Sequence, residues 1–174
     1  SKHHPQVCTF EYWLQGSVRF QADRISLSSR GNTSMLTARY GNHMCELRVS
    51  MSDNNAEIGF RVRGKQTESL CIRGGFTMQL KPGGRLKWST NRKGTVIDPL
   101  SRLFVEWSGR DEERTVSTGS WTLAMAPGSS LEWPVYPFNP YAINDSAPPE
   151  QAVAAVSVPL KPSRSFTRFF LTVR

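Results

Sequence analysis

Few residues in this chain have the type and spacing that chemistry requires. The acidic run Asp111-Glu112-Glu113 is the nearest approach to a carboxylate pair for general acid–base work. It lies between Arg110 and Arg114, a setting that predicts a solvated hairpin tip. The histidines are His3, His4 and His43, the first two near the amino terminus and the third beside the turn-forming pair Gly41-Asn42. His43 is therefore expected in a surface turn. A metal site needs three or four converging ligands, and no His, Cys, Asp or Glu group here has that spacing. Cys8, Cys45 and Cys71 are odd in number and contain no Cys-x-x-Cys, which fits a reducing compartment. Cys45 alternates with Leu47 and is expected in the core. Gly74-Gly75 and Gly83-Gly84 lack the strand–loop–helix setting of a phosphate cradle. These observations predict no catalytic residues, no metal, no cofactor and no enzymatic activity.

The elements that would position any site are strands. From Glu57 to Arg63, Ile58, Phe60 and Val62 alternate with Glu57, Arg61 and Arg63. The same period of two runs from Glu46 to Met51, from Arg85 to Trp88 and from Trp121 to Met125. Successive strand side chains point to opposite faces, so each run describes one buried and one wet face. Strands are expected near 8–14, 17–27, 35–40, 44–51, 57–63, 69–80, 85–89, 102–107, 114–125, 130–136 and 166–173. Gly31-Asn32, Gly41-Asn42, Asp53-Asn54-Asn55, Gly74-Gly75 and Pro82-Gly83-Gly84 punctuate them. A helical turn is expected at Glu150 to Val156, after Pro148-Pro149. Short, evenly spaced strands of this kind predict a sandwich or barrel in one domain spanning 1–174. Residues 1–8 are expected to be mobile, and 134–150 to form a proline-rich loop.

The chain of 174 residues carries a net charge of +8, and its pI is near 9.9. That balance favours an anionic partner. The densest basic stretch contains Arg85, Lys87, Arg92, Lys93 and Arg102, the residues expected to meet nucleic acid. Arg61, Arg63 and Lys65 are read as charges that keep an outer face soluble. The parity of Trp88 and Trp121 places both on buried faces. Trp133, Tyr136, Phe138 and Tyr141, interleaved with prolines, are expected to contact a partner subunit. Apolar stretches are far shorter than a membrane span.

An all-β chain of this size, basic but without an arginine-rich arm and beginning at Ser1, resembles the jelly-roll coat proteins of plant picorna-like viruses (secovirids). Leu103-Phe104-Val105-Glu106-Trp107 and Ser120-Trp121-Thr122-Leu123-Ala124-Met125 resemble paired jelly-roll strands. Trp133-Pro134-Val135-Tyr136-Pro137-Phe138 resembles a loop lying over a neighbouring subunit. At 19.6 kDa the chain is most similar to the smallest of the three cheravirus coat proteins, with Ser1 as a proteolytic start. It departs from that pattern in ending at Arg174, where Gln or Glu is usual. The resemblance implies an antiparallel eight-stranded jelly roll with long loops. It also implies a capsid role beside two other coat proteins and genomic RNA, and a location in the virion after assembly in host cytoplasm. The alternative is a β-sandwich binding module for nucleic acid or carbohydrate.

Overall fold

The computed structural model describes residues 9–19, 21–79, 86–90, 94–97, 105–108, 114–135 and 153–174. In chain order its strands are β1 (Phe10–Leu14), β2 (Ser17–Arg19), β3 (Arg24–Arg30), β4 (Thr33–Tyr40), β5 (His43–Ser52), β6 (Asn55–Arg63), β7 (Leu70–Gln79) and β8 (Leu86–Thr90). β9 (Gly94–Ile97), β10 (Val105–Ser108), β11 (Arg114–Ser117), β12 (Trp121–Met125), β13 (Ser130–Val135), β14 (Val153–Leu160) and β15 (Thr167–Val173) follow. There is no helix among the described residues.

Two antiparallel sheets form a sandwich. The six-stranded sheet runs β10-β13-β14-β7-β1-β2, and the nine-stranded sheet runs β3-β4-β5-β6-β15-β12-β11-β8-β9. The all-β, two-sheet expectation holds, but the eight-stranded jelly roll does not. A jelly roll nests its strands, so that consecutive strands alternate between sheets. Here β3, β4, β5 and β6 lie side by side, joined by the two-residue turns Gly31-Asn32, Gly41-Asn42 and Asp53-Asn54. Gly31 and Gly41 take φ of 56° and 57°, the left-handed geometry that lets a two-residue turn follow the strand twist. Short local turns therefore fix a meander, and the nested order is lost.

Several element boundaries differ from the sequence expectation. Arg24–Arg30 is separated from Ser17–Arg19 and joins the other sheet. The expected strand 114–125 breaks at Thr118-Gly119-Ser120, where the Thr118 N–H donates to the Trp121 carbonyl. The expected turn of helix at Glu150 to Val156 lies partly outside the described residues, and from Val153 onward it is strand β14. β14 pairs with both β13 and β7, and this central position favours the β-branched Val153, Val156 and Val158 in extended backbone.

One hydrophobic core joins the sheets. Tyr12, Ile72, Val156, Val158, Leu131 and Trp133 enter from the six-stranded sheet; Phe60, Val62, Val116, Leu123 and Phe169 enter from the nine-stranded one. Phe60 meets Phe10 at 5.9 Å and Phe169 at 6.1 Å, both edge to face, an arrangement that places ring edges on ring faces. Cys45 is fully buried, as its parity predicted.

Candidate functional site

With the core on one side of the nine-stranded sheet, the opposite parity of β3–β6 and β15 makes an outward face. Its cross-strand rows follow from the pairing register. Arg24, Arg39, Met44 and Arg63 form one row; Ser26, Thr37, Glu46 and Arg61 form the next. Ser28, Met35, Arg48, Gly59 and Arg168 make a third, and Arg30, Thr33, Ser50, Glu57 and Phe170 a fourth. On these strands the face carries seven arginines against two glutamates.

Both glutamates are held by arginines. Glu46 is only 4% exposed although it points away from the core, because Arg61 and Arg63 roof it. Arg61 Nε donates to Glu46 Oε2 at 2.5 Å, and Arg63 Nε donates to the same oxygen at 3.1 Å. Arg48 Nη2 donates to Glu57 Oε1 at 2.6 Å, with Arg168 Nε 3.6 Å from that oxygen. Each carboxylate thus organises two guanidiniums and neutralises one. The remaining charge is fixed in place and faces solvent at Arg63 and Arg168.

Phe166 completes the cluster. The guanidinium carbons of Arg48 and Arg61 lie 4.3 Å and 4.1 Å from the centre of its ring. The ring fits there because residue 59 is glycine: a Cβ at Gly59 would stand 3.1 Å from Phe166 Cδ1. Arg61 Nη1 also donates to the Arg164 carbonyl at 3.2 Å, tying the loop before β15 to the sheet. Arg48 Nε is buried without a hydrogen-bond partner. Arg24 and Arg30 make no ion pair among the described residues. An array of planar, oriented guanidiniums between Ser and Thr hydroxyls suits bidentate capture of carboxylate, sulfate or phosphate oxygens.

A second polar constellation lies in the core. Tyr12 and His43 are both buried, and their Oη and Nδ1 are 2.8 Å apart. His43 Nε2 is 2.9 Å from the Lys65 carbonyl, which can only accept, so Nε2 carries a proton. In the neutral ring Nδ1 then accepts from the Tyr12 hydroxyl. Burial pushes the Tyr12 hydroxyl pKa above its ordinary value, with Arg19 opposing. Both ring nitrogens are engaged and Tyr12 is 2% exposed, so the pair ties the start of β5 to the middle of β1 and to the segment after β6, and offers no atom to a substrate. Cys45 is no better placed: burial, then Glu46, pushes its thiol up to about 12, which keeps it protonated and unreactive. His43, expected in an exposed turn, opens β5 and is 8% exposed.

The residues singled out from sequence fare differently. Arg85, Arg92, Lys93, Arg102, Tyr136, Phe138 and Tyr141 lie outside the described residues, as does Asp111-Glu112-Glu113. Lys87 sits in β8, in register with Ser117 of β11. Trp133, expected at a subunit contact, is instead 1% exposed in the core, because its parity on β13 matches Leu131. Its indole Nε1 has no hydrogen-bond partner. The sequence reading missed Arg48, Phe166 and Gly59 as one cluster. The outward parity of Arg48 and Arg61 was visible, but their convergence on Phe166 depends on the long-range pairing of β15 with β6.

No protein-family model and no curated protein sequence matches the chain. Among solved structures, it is similar to a galactose mutarotase-related enzyme from Lactobacillus acidophilus (10% identity, 94% of this chain, 78% of that one, TM-score 0.46). It is also similar to a putative aldose 1-epimerase from Escherichia coli K12 (10% identity, 94% of this chain, 78% of that one, TM-score 0.48). Neither is a coat protein. Together with the meander order of the strands, this corrects the coat-protein reading. The expected coat-protein and RNA partners, the virion location and the exclusion of an enzyme are withdrawn with it. The likeness is one of β-architecture, and no residue or activity of this chain is assigned from it.

Proposed function

We propose that the outward face of the nine-stranded sheet binds an acidic polysaccharide, with Arg63 and Arg168 as its exposed anion contacts and Arg48 and Arg61 as the pre-positioned floor. The observation that carries this reading is the Glu46–Arg61–Arg63 and Arg48–Glu57–Arg168 arrangement, in which two carboxylates orient four guanidiniums on one sheet face. Orientation without full neutralisation is what anion recognition needs. Ser26, Ser28, Thr33, Thr37 and Ser50, on the same face, supply hydroxyls that match sugar hydroxyls. Single-stranded nucleic acid, by contrast, gains much of its affinity from bases stacked on open rings. The ring of Phe166 is already occupied by two guanidiniums, which leaves Phe170, 49% exposed, as the one open ring among the described residues of this face.

Titration calorimetry against a sulfated polysaccharide, a polyuronate and a neutral glucan of equal length tests the reading. The two acidic polymers should bind, with affinity falling steeply as salt rises, and the neutral glucan should not. Arg63→Gln with Arg168→Gln should weaken binding about tenfold or more while leaving the melting temperature within a few degrees, since both side chains are about half exposed. Equal binding of the neutral glucan, or unchanged affinity in the double variant, would remove the face from consideration.

A further inference from the structure

The nine-stranded sheet ends at β3, whose seven residues are all exposed. The exposure is one-sided in origin. Ile25 shares a row with Ala38 and Cys45, which are 3% and 0% exposed, yet Ile25 itself is 65% exposed. Leu27 shares a row with Leu36, Leu47 and Phe60; Phe60 is 1% exposed and Leu27 is 72%. Cover from the opposite sheet therefore stops between β4 and β3, and two large apolar side chains overhang.

Natural sheets blunt such edges with central charges, prolines, bulges or very short strands. β3 has none of these. Its pairing with β4 runs unbroken from Arg24↔Arg39 to Arg30↔Thr33, and its only charges are Arg24 and Arg30 at the two ends. A two-residue hairpin closes on a hydrogen-bonded pair, here Arg30↔Thr33. Pairing type alternates along the strand, so the backbone groups of Ile25, Leu27 and Ser29 point away from β4, toward the open edge.

We infer that this edge receives an extended segment of an acidic partner protein, which adds to the sheet as a further strand. The segment's chemistry follows from the register. It places a carboxylate side chain opposite Arg24 and another opposite Arg30, six residues apart. Between them it places apolar side chains at alternate positions, to cover Ile25 and Leu27. A second copy of this chain fits poorly. Antiparallel pairing of β3 with itself about Leu27 would set Arg24 against Arg30 twice, and parallel pairing in register would set each arginine against its twin.

Fluorescence anisotropy with two labelled seven-residue peptides tests this: Glu-Val-Thr-Val-Thr-Val-Glu and its Lys-flanked counterpart. The acidic-flanked peptide should bind saturably and at least tenfold more tightly. Leu27→Pro removes one outward N–H and no β3–β4 bond, and should abolish binding without unfolding the chain. Should that variant fail to fold, Arg24→Glu with Arg30→Glu decides the matter by reversing the preference toward the Lys-flanked peptide. Lack of saturable binding, or equal affinity for both peptides, would overturn the inference. So would a dimer in analytical ultracentrifugation that Leu27→Pro dissolves, which would make a second copy the occupant. The polysaccharide reading rests on Arg63 and Arg168, so either proposal can fail while the other stands.

Discussion

The Glu46–Arg61–Arg63 cluster and the Tyr12–His43 pair are both polar groups packed into a β-sandwich, and they end in opposite states. Inside, Tyr12, His43 and the Lys65 carbonyl form a closed chain in which both imidazole nitrogens have one partner each. Outside, Glu46 holds two arginines with one carboxylate oxygen and leaves charge uncompensated. An unpaired polar atom in a core costs its desolvation, so buried polar groups are mostly paired, the indole Nε1 of Trp133 being an exception here. A surface has no such constraint, so surplus charge can be oriented and kept. Candidate binding chemistry therefore lies on the outward face, and the dyad that looks catalytic by residue type is structural.

That contrast can be broken from either side. Glu46→Ala leaves Arg61, whose side chain is 14% exposed, without its carboxylate and should cost about 3–5 kcal/mol in urea unfolding. Adding Arg61→Leu should recover much of that loss. If the single variant costs nothing, Glu46 does not organise the face. Tyr12→Phe removes the donor to His43 Nδ1 and should cost about 1–3 kcal/mol without changing polysaccharide binding. A change in binding would mean that the dyad communicates with the face.

The smallest effect at neutral pH is expected at Cys45. Its thiol is raised from 9.0 to about 12, so the folded state holds its proton through a range where the unfolded chain releases it. The stabilising contribution is whole below about pH 9 and falls as pH rises toward 12. Tyr12, also raised by burial, adds a loss of the same sign at alkaline pH. Cys45→Val should leave neutral stability nearly unchanged and flatten the alkaline decline. In a Cys8→Ser background, a thiol reagent at pH 8 should label the exposed Cys71 and spare Cys45 until the chain unfolds. Rapid labelling of both would show that the core opens readily.

The alternation of apolar residues with arginines determined the β content, the inward faces and the burial of Cys45, because side-chain direction in a strand is a local property of period two. Gly31-Asn32 and Gly41-Asn42 likewise marked their hairpins, since positive φ is a demand made by the turn itself. Local properties of this kind make strands joined by a two-residue turn neighbours, but do not say which distant strands pair. The neighbour of β6 beyond the β3–β6 meander was open until β15 was seen to pair with it. Trp133 could lie in a loop or in the core until β13 was paired with β14. The seat of Phe166 over Gly59, between Arg48 and Arg61, exists only because β15 returns from more than a hundred residues away to pair with β6. Periodicity follows from the chain's own backbone geometry, whereas a binding face is made by the register between distant strands, and that register is fixed only when the two sheets close over a common core.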